Sequence, residues 1–300
     1  MNGFLNINKP EGISSFDVIR RLRTVMPRVK MGHLGTLDPL ATGVLPIAVG
    51  WATKLIDYVG DHRKAYRAEM ILGGVSDTQD CTGKITYIEH PPVDLQQVEA
   101  ILERFSGEIE QIPPSFSAVH HQGKRLYELA RQGILIEAEP RKINIYQMTL
   151  LQTSGEQGVE KITFEVECSS GTYVRTLCHD IGQLLGTGGY MNQLVRTRSG
   201  AFEISDAADL VRLTEDREYL TAKLLAVDYP LIGSDRIKLT DADAQAIKHG
   251  MTVKVPFGTE NNELYVLYDM QDNLLALAIH SDMDGQAFLK PVRVVPEKHV

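Results

Sequence analysis

Only three cysteines occur in the 300 residues, Cys81, Cys168 and Cys178, and no CxxC spacing relates them. So sparse a set gives no disulfide framework and no zinc knuckle, and fits reduced, buried thiols in a cytoplasmic protein. No segment approaches the ~20 consecutive apolar residues of a membrane helix. The opening MNGFLNINKPEG carries neither a basic leader nor the ~7 to 15 apolar residues of a secretory signal. The phosphate-cradling GxGxxG and GxxxxGKS/T patterns are missing, as are HExxH, the HxE…PCxxC deaminase pattern and the GxSxG elbow. The adjacent His120 and His121 read as loop surface rather than as a metal pair. Repeats, low-complexity tracts and heptads are absent as well. These absences remove the sequence-level case for nucleotide-fuelled, zinc-dependent and serine-nucleophile chemistry.

What is present is a chain long enough for roughly two domains. Hydrophobic residues make up 43%, enough for a sizeable core. The net charge of −8 at face value disfavours a nucleic-acid partner. Its distribution argues the other way. Residues 201–300 hold 17 acids and 10 bases, whereas residues 1–66 hold nine bases and five acids. A locally basic N-terminal face is what phosphates would meet.

Periodicity then divides the chain. A strand is expected over 4–8, followed by a helix opened by Ser14 and Asp17, with Val18, Ile19, Leu22 and Val25 as its apolar stripe. Residues 44–50 read as a buried strand and 52–59 as a short helix. Tyr66, Ala68, Met70 and Leu72 share one face of a half-buried strand over 64–72. A helix is expected over 94–105, closing near Gly107. The polar stretch PPSFSAVHHQGKRLYELARQGILIEAEPRK reads as an excursion from the sheet with one short helix. Ile162, Phe164, Val166 and Cys168 mark another strand, and 174–185 a helix ending at Gly186. Strands interleaved with helices predict a mixed sheet of the α/β or α+β class. Beyond Pro230 the pattern changes to one small helix over 241–248 and short strands over 264–268, 274–280 and 288–294. That predicts a mostly β module of about 70 residues.

The densest run of glycine, proline and small residues is GHLGTLDPLATGVLP, residues 32–46, with one carboxylate, Asp38, at its centre. Asp-Pro pairs initiate turns, so a plain turn is one reading. The other is functional. Proline keeps Asp38 out of the helical region and cannot donate to its carboxylate, while Gly32, Gly35 and Gly43 admit other groups closely. A fixed, accessible carboxylate suits a nucleophile.

The stretch GHLGTLDPLATGVLPIAVGWATK closely resembles the catalytic motif of the TruB family of tRNA pseudouridine synthases. The resemblance continues through NINKPEGISSFDV, DHRKAYRAEMILGGVSDTQDCTG, PPSFSAVHHQGKRLYELARQG, CSSGTYVRTLCHDIG and LVRTRSGAF. The module bearing LTDADAQAIKHG is similar, more weakly, to the small PUA-type RNA-binding domain of bacterial members. The resemblance implies an α+β fold, a mixed and mainly antiparallel sheet flanked by helices. It implies a catalytic domain over 1–230 with an RNA-gripping insertion over about 107–142, and a PUA-like domain over 231–300.

It further implies isomerisation of uridine 55 in the tRNA T loop, with base flipping. Asp38 is then the catalytic aspartate, acting by attack at C1′ or by removing the 2′ proton. Tyr66 would stack on uracil, a contact worth roughly 1 to 3 kcal/mol, and accept the C5 proton. Arg175, in GTYVRT, would pair with the acid. Tyr173 and Leu194 would line the uracil pocket, Lys64 would bind RNA, and His33 would fill the space left by the extruded base. For Tyr173 and Leu194 plain core packing is the competing reading, and for Tyr66 an ordinary aromatic on the sheet face. The implied partner is the tRNA T stem-loop, met by a cytoplasmic monomer without metal, redox cofactor, membrane or guide RNA. Guide-dependent relatives usually carry extended basic termini, and the C-terminal part here is acidic. The alternative function is a non-catalytic tRNA binder that assists folding.

Overall fold

Ser14 accepts the Asp17 N–H while the Asp17 carboxylate accepts the Ser14 N–H, and this reciprocal cap starts helix α1, Ser15–Val25. The computed structural model of the chain describes all residues but 60–62, 118, 122, 131, 135, 137, 157, 232, 256–263, 284–285 and 297–300. The side chains of residues 120, 121, 125, 127 and 283 also lie outside that description. Besides the short helices Leu210–Glu215 and Arg217–Ala222, the first part of the chain holds α2, Leu95–Glu103, α3, Leu126–Ala130, and α4, Val174–Leu185. The last is closed by Gly186 at φ 73°, a left-handed position that glycine adopts without a Cβ clash.

The strands follow as β1, Gly3–Lys9, β2, Met31–His33, β3, Thr42–Val49, β4, Lys64–Leu72, β5, Gly74–Ser76, and β6, Ile85–Tyr87. After them come β7, Gly107–Gln111, β8, His120–His121, β9, Lys124–Arg125, β10, Arg141–Ser154, β11, Lys161–Cys168, and β12, Gly189–Ser199. The main sheet runs β1-β3-β12-β4-β11-β10-β7, with the short strand Ala208–Asp209 outside β1. Its pairings are antiparallel except for β1 with Ala208–Asp209 and β3 with β12. The β3–β12 junction has two rungs, Val195 opposite Thr42 and Arg196 opposite Gly43. It sets the loop that precedes β3 beside the strands carrying Tyr66 and Leu194.

Helices α1, α2 and α4 cover one face. Val18, Ile19 and Leu22 of α1, Val98 and Leu102 of α2, and Leu177, Cys178 and Ile181 of α4 join Ile47, Ala68, Met70 and Phe164 in one core. Each Leu or Ile so buried contributes about 1.5 to 3 kcal/mol before the entropy of ordering it is set against the gain. The opposite face of β4 and β11 is polar, with Arg67 paired to Glu165 at 2.8 Å and Lys161 to Glu69 at 3.2 Å. Period-two alternation on β4 is thus borne out on both faces.

The second sheet is made of Asp235–Lys238, Tyr265–Tyr268, Leu274–Met283, Gln286–Val294 and Val253–Lys254. The helix Asp241–Lys248 packs on it through Ala244 and Ile247. Its outer residues Val266, Tyr268 and Leu277 join Phe4, Val44 and Ala48 of β1 and β3 in a further buried cluster.

Four expectations need correction. Val25 is 40% exposed because α1 ends there and Met26 turns into the core instead. Residues 52–59 form two 3₁₀ turns, Gly50–Lys54 and Ile56–Tyr58, rather than a short α-helix. The excursion leaves the sheet later than residue 107, because β7 pairs with β10 as an edge strand and Gly107 opens it instead of capping α2. His120 and His121 lie in a two-residue strand against β9, not in a loop. Cys168 and Cys178 are buried, Cys81 is half-buried, and all three thiols are free.

Candidate active site

The Asp38 loop, between β2 and β3, is fastened through its backbone. Gly35 turns it at φ 95°. The Ser15 hydroxyl accepts the Leu37 N–H at 2.8 Å and donates to the Leu37 carbonyl at 3.1 Å. The Pro39 carbonyl accepts from the Gly12 N–H at 2.8 Å and from Lys9 Nζ at 3.2 Å. The Arg196 guanidinium donates to the carbonyls of Gly35 at 3.1 Å, Thr36 at 3.3 Å and Val44 at 2.7 Å. With its backbone so held, the loop leaves the Asp38 side chain 39% exposed.

Arg175 meets that carboxylate from the first turn of α4. Its Nε lies 2.9 Å from Asp38 Oδ2, and its side chain is 6% exposed. The Nε–H is not aligned on the oxygen, so the contact is an ion pair rather than a linear hydrogen bond. The two Nη atoms donate to the carbonyls of Thr78 at 3.1 Å and Phe116 at 3.0 Å. Asp80 Oδ2 lies 3.6 Å from Nη1. Asp80 is itself held by the Thr78 and Thr82 hydroxyls at 2.8 and 2.5 Å. A buried guanidinium needs such neutralising partners, and two carboxylates supply them here.

Tyr66, Leu194 and Arg196 face the same way, since Arg196 lies opposite Tyr66 and Leu194 opposite Ala68 across the β12–β4 pair. Tyr66 is buried, and burial raises its hydroxyl pKa while the nearby Arg196 charge opposes the rise. Lys64 is half-buried, and its ammonium reaches the position where a Cβ on Gly35 would stand. Burial, then Arg196, lowers its pKa to about 8. Lys9, fully buried beneath the loop, is also brought to about 8 by burial, with Asp38 pulling the other way. His33 pairs through its backbone with Ile47, one residue before the loop begins. Tyr173 precedes α4, where the Gln111 side chain bonds both its N–H, at 2.8 Å, and its carbonyl, at 3.0 Å. The Arg141 guanidinium stands 5.7 Å from its ring centre.

Of the seven residues expected at the site, Asp38 and Arg175 are in direct contact, and Tyr66 and Leu194 share a sheet face beside the loop. Lys64 reaches the loop through Gly35. His33 and Tyr173 flank it on β2 and at the start of α4. The expectation passed over Lys9, Asp80, Gln111 and Arg196. Two of them carried a signal. Lys9 and Arg196 stand in phase with the buried residues Ile7 and Leu194 of their own strands, where a charge is costly.

A cavity of about 610 Å³ lies against α4, lined by Gln79, Glu110, Ile112, Thr176, His179 and Asp180 among others. Burial pushes the Asp180 carboxyl up to about 6 and lowers His179. Among the described residues no group of three or more His, Cys, Asp and Glu is arranged to hold a metal ion. No helix among them is long and apolar enough to cross a membrane.

With the loop, ion pair and sheet in view, the comparisons define the class. The chain belongs to the TruB family of pseudouridylate synthases. Residues 22–174 match the family's N-terminal domain, and residues 175–232 match the tRNA pseudouridylate synthase B C-terminal domain. A tRNA pseudouridine synthase B of Syntrophomonas wolfei is 48% identical over 295 residues, covering 98% of both chains. One of Clostridium acetobutylicum is 41% identical over 284 residues, covering 92% of this chain and 95% of its own. Among solved structures, a Cbf5-Nop10-Gar1 complex contains a chain that superposes with a TM-score of 0.75 at 27% identity, over 99% of this chain and 86% of that one. An H/ACA RNP bound to a substrate RNA containing 2′-deoxyuridine gives 0.74 at 24% identity, over 98% and 85%. The fold is therefore the pseudouridine synthase fold, a mixed and mainly antiparallel sheet with helices, followed by a small β domain.

Proposed function

We propose that this protein converts uridine 55 in the T loop of tRNA to pseudouridine, with Asp38 as its catalytic carboxylate. The observation that carries the reading is the half-exposed Asp38, pinned through its backbone and 2.9 Å from Arg175 Nε. Relatives at 41 to 48% identity bear the name tRNA pseudouridine synthase B, which supports tRNA as the substrate.

The reaction breaks the N1–C1′ bond, turns the uracil and joins C5 to C1′. Asp38 begins it by attack at C1′ or by taking the 2′ proton, and Arg175 balances its charge. Tyr66 lies under the uracil and, as the phenolate, receives the C5 proton, while N1 takes up one proton from solvent, so the proton count of the base is unchanged. The net change is an isomerisation, so no external oxidant, reductant or group donor enters it. Leu194 and Tyr173 bound the base pocket, and His33 and Lys64 meet the surrounding RNA. Extraction of the base from its stack costs a few kcal/mol, and the His33 ring offsets part of that by filling the gap. Residues 231–300 form the PUA-like domain in this reading, and 112–140 grip the T arm. The protein acts as a cytoplasmic monomer and needs no guide RNA.

The test is incubation with unmodified tRNA and with an isolated T-arm hairpin, guide RNA absent, followed by pseudouridine mapping. Modification at position 55 alone supports the reading. Binding without any modification would instead favour the folding assistant.

A further inference from the structure

Arg196 is fully buried, yet among the described residues no carboxylate approaches its guanidinium within ion-pairing distance. Two other cations share its surroundings, since Lys64 and Lys9 both feel its charge. A desolvated cation set among other cations weakens a fold unless something else requires it. Packing alone would be served by an apolar side chain of similar length.

The geometry points to the requirement. Gly35 and Thr36 lie on the incoming limb of the Asp38 loop and Val44 on the outgoing strand, and one planar side chain binds the carbonyls of all three. Its backbone also abuts Gly43, where a Cβ would stand 2.3 Å from the Arg196 carbonyl oxygen. Across the β12–β4 pair its partner is Tyr66. One guanidinium therefore holds the loop that carries the acid and stands across the strand pair from the phenol.

We propose that Arg196 is a positioning residue, fixing the Asp38 loop relative to Tyr66 and holding the phenol oxygen as an acceptor. The proposal rests on the synthase reading above. It assigns Arg196 a double action: its fork sets the height of the carboxylate, and its charge favours the phenolate that takes up the C5 proton. Lysine at this position would keep the charge but bond one carbonyl in place of three. Glutamine would keep a planar donor but lose the charge.

The experiment compares wild type with Arg196→Lys and Arg196→Gln, using single-turnover pseudouridine formation across pH, tRNA affinity and thermal melting. Misplacement of a reacting group by an ångström costs on the order of 100-fold in rate, and that is the loss expected for Arg196→Lys with tRNA affinity kept. In Arg196→Gln, the pH at which the rate levels off should move upward, because the phenol loses its cationic neighbour. Wild-type rate and pH profile in both variants would overturn the proposal. So would a fall in rate that only follows melting and affinity, with the profile unmoved, or failure of both variants to fold, since either would reduce Arg196 to a stabilising residue. An inactive wild type would instead sink the synthase reading itself.

Discussion

Arg175 Nε stands 2.9 Å from Asp38 Oδ2, across a boundary between helix α4 and a loop 137 residues earlier in the chain. The arginine is held by two carbonyls and Asp80, so the acid meets a cation that is already oriented. That arrangement makes the carboxylate itself the sharpest target. Asp38→Asn preserves shape and removes the charge, so turnover should fall by roughly 1,000-fold or more. Affinity for tRNA should persist. Substantial residual pseudouridine by mapping would show that another group does the chemistry.

Tyr66→Phe keeps the ring on the sheet, opposite Arg196, and removes the hydroxyl. Binding should hold while release of the C5 proton, followed with C5-tritiated tRNA, stalls. Normal tritium release would confine Tyr66 to stacking.

His33 ends β2, and the chain turns at Gly35 before reaching Asp38, so ring and acid can address the same nucleotide. His33→Ala should lower kcat/KM more on a structured T arm than on a short flexible RNA of the same sequence, because only the first has a stack to break. The ratio of the two values is the readout, and an unchanged ratio would make His33 a loop residue only.

Charge is unevenly shared between the N-terminal and C-terminal parts of the chain, and RNA binding should report the basic part. The log-log dependence of tRNA affinity on salt should have a slope of about −0.7 to −0.9 per phosphate contacted. A flat response between low and physiological salt would remove the electrostatic contribution.

Asp180 provides a test of stability rather than of catalysis. Its folded carboxyl titrates near 6, above its ordinary value of 3.8, because burial disfavours the charged form. A raised acid stabilises the fold below the unfolded pKa, and that contribution is lost as pH rises through the folded one. Asp180→Asn should therefore change little at about pH 4 and stabilise the protein at about pH 8 by roughly 2 kcal/mol. Equal melting shifts at both pH values would show that the carboxyl is solvated.

What could be read in the sequence follows from how local each signal is. The Ser14 cap, the Gly186 stop and the alternation of β4 are written within a few residues and appear where expected. Asp38, Arg175 and their pairing are legible only through the motif resemblance, because the contact itself depends on the β3–β12 junction and the start of α4. Arg196 and Lys9 were missed because a cation in a strand ordinarily signals a solvated face. Only the packed structure reveals that both bond backbone carbonyls inside the protein. Val25 failed for a plain reason, since a stripe predicts the face of a helix but not the residue at which the helix stops.

The cluster of Phe4, Val44 and Ala48 with Val266, Tyr268 and Leu277 has a practical consequence. Val44 and Ala48 belong to β3, which leaves the Asp38 loop, Phe4 to its neighbour β1, and the last three to the second sheet. Cutting the chain between the sheets would strip an oily seam from the back of the reaction centre, and the shortened protein would tend to clump. The two parts share a wall, so the second sheet is braced against β1 and β3 rather than hung from them by a tether.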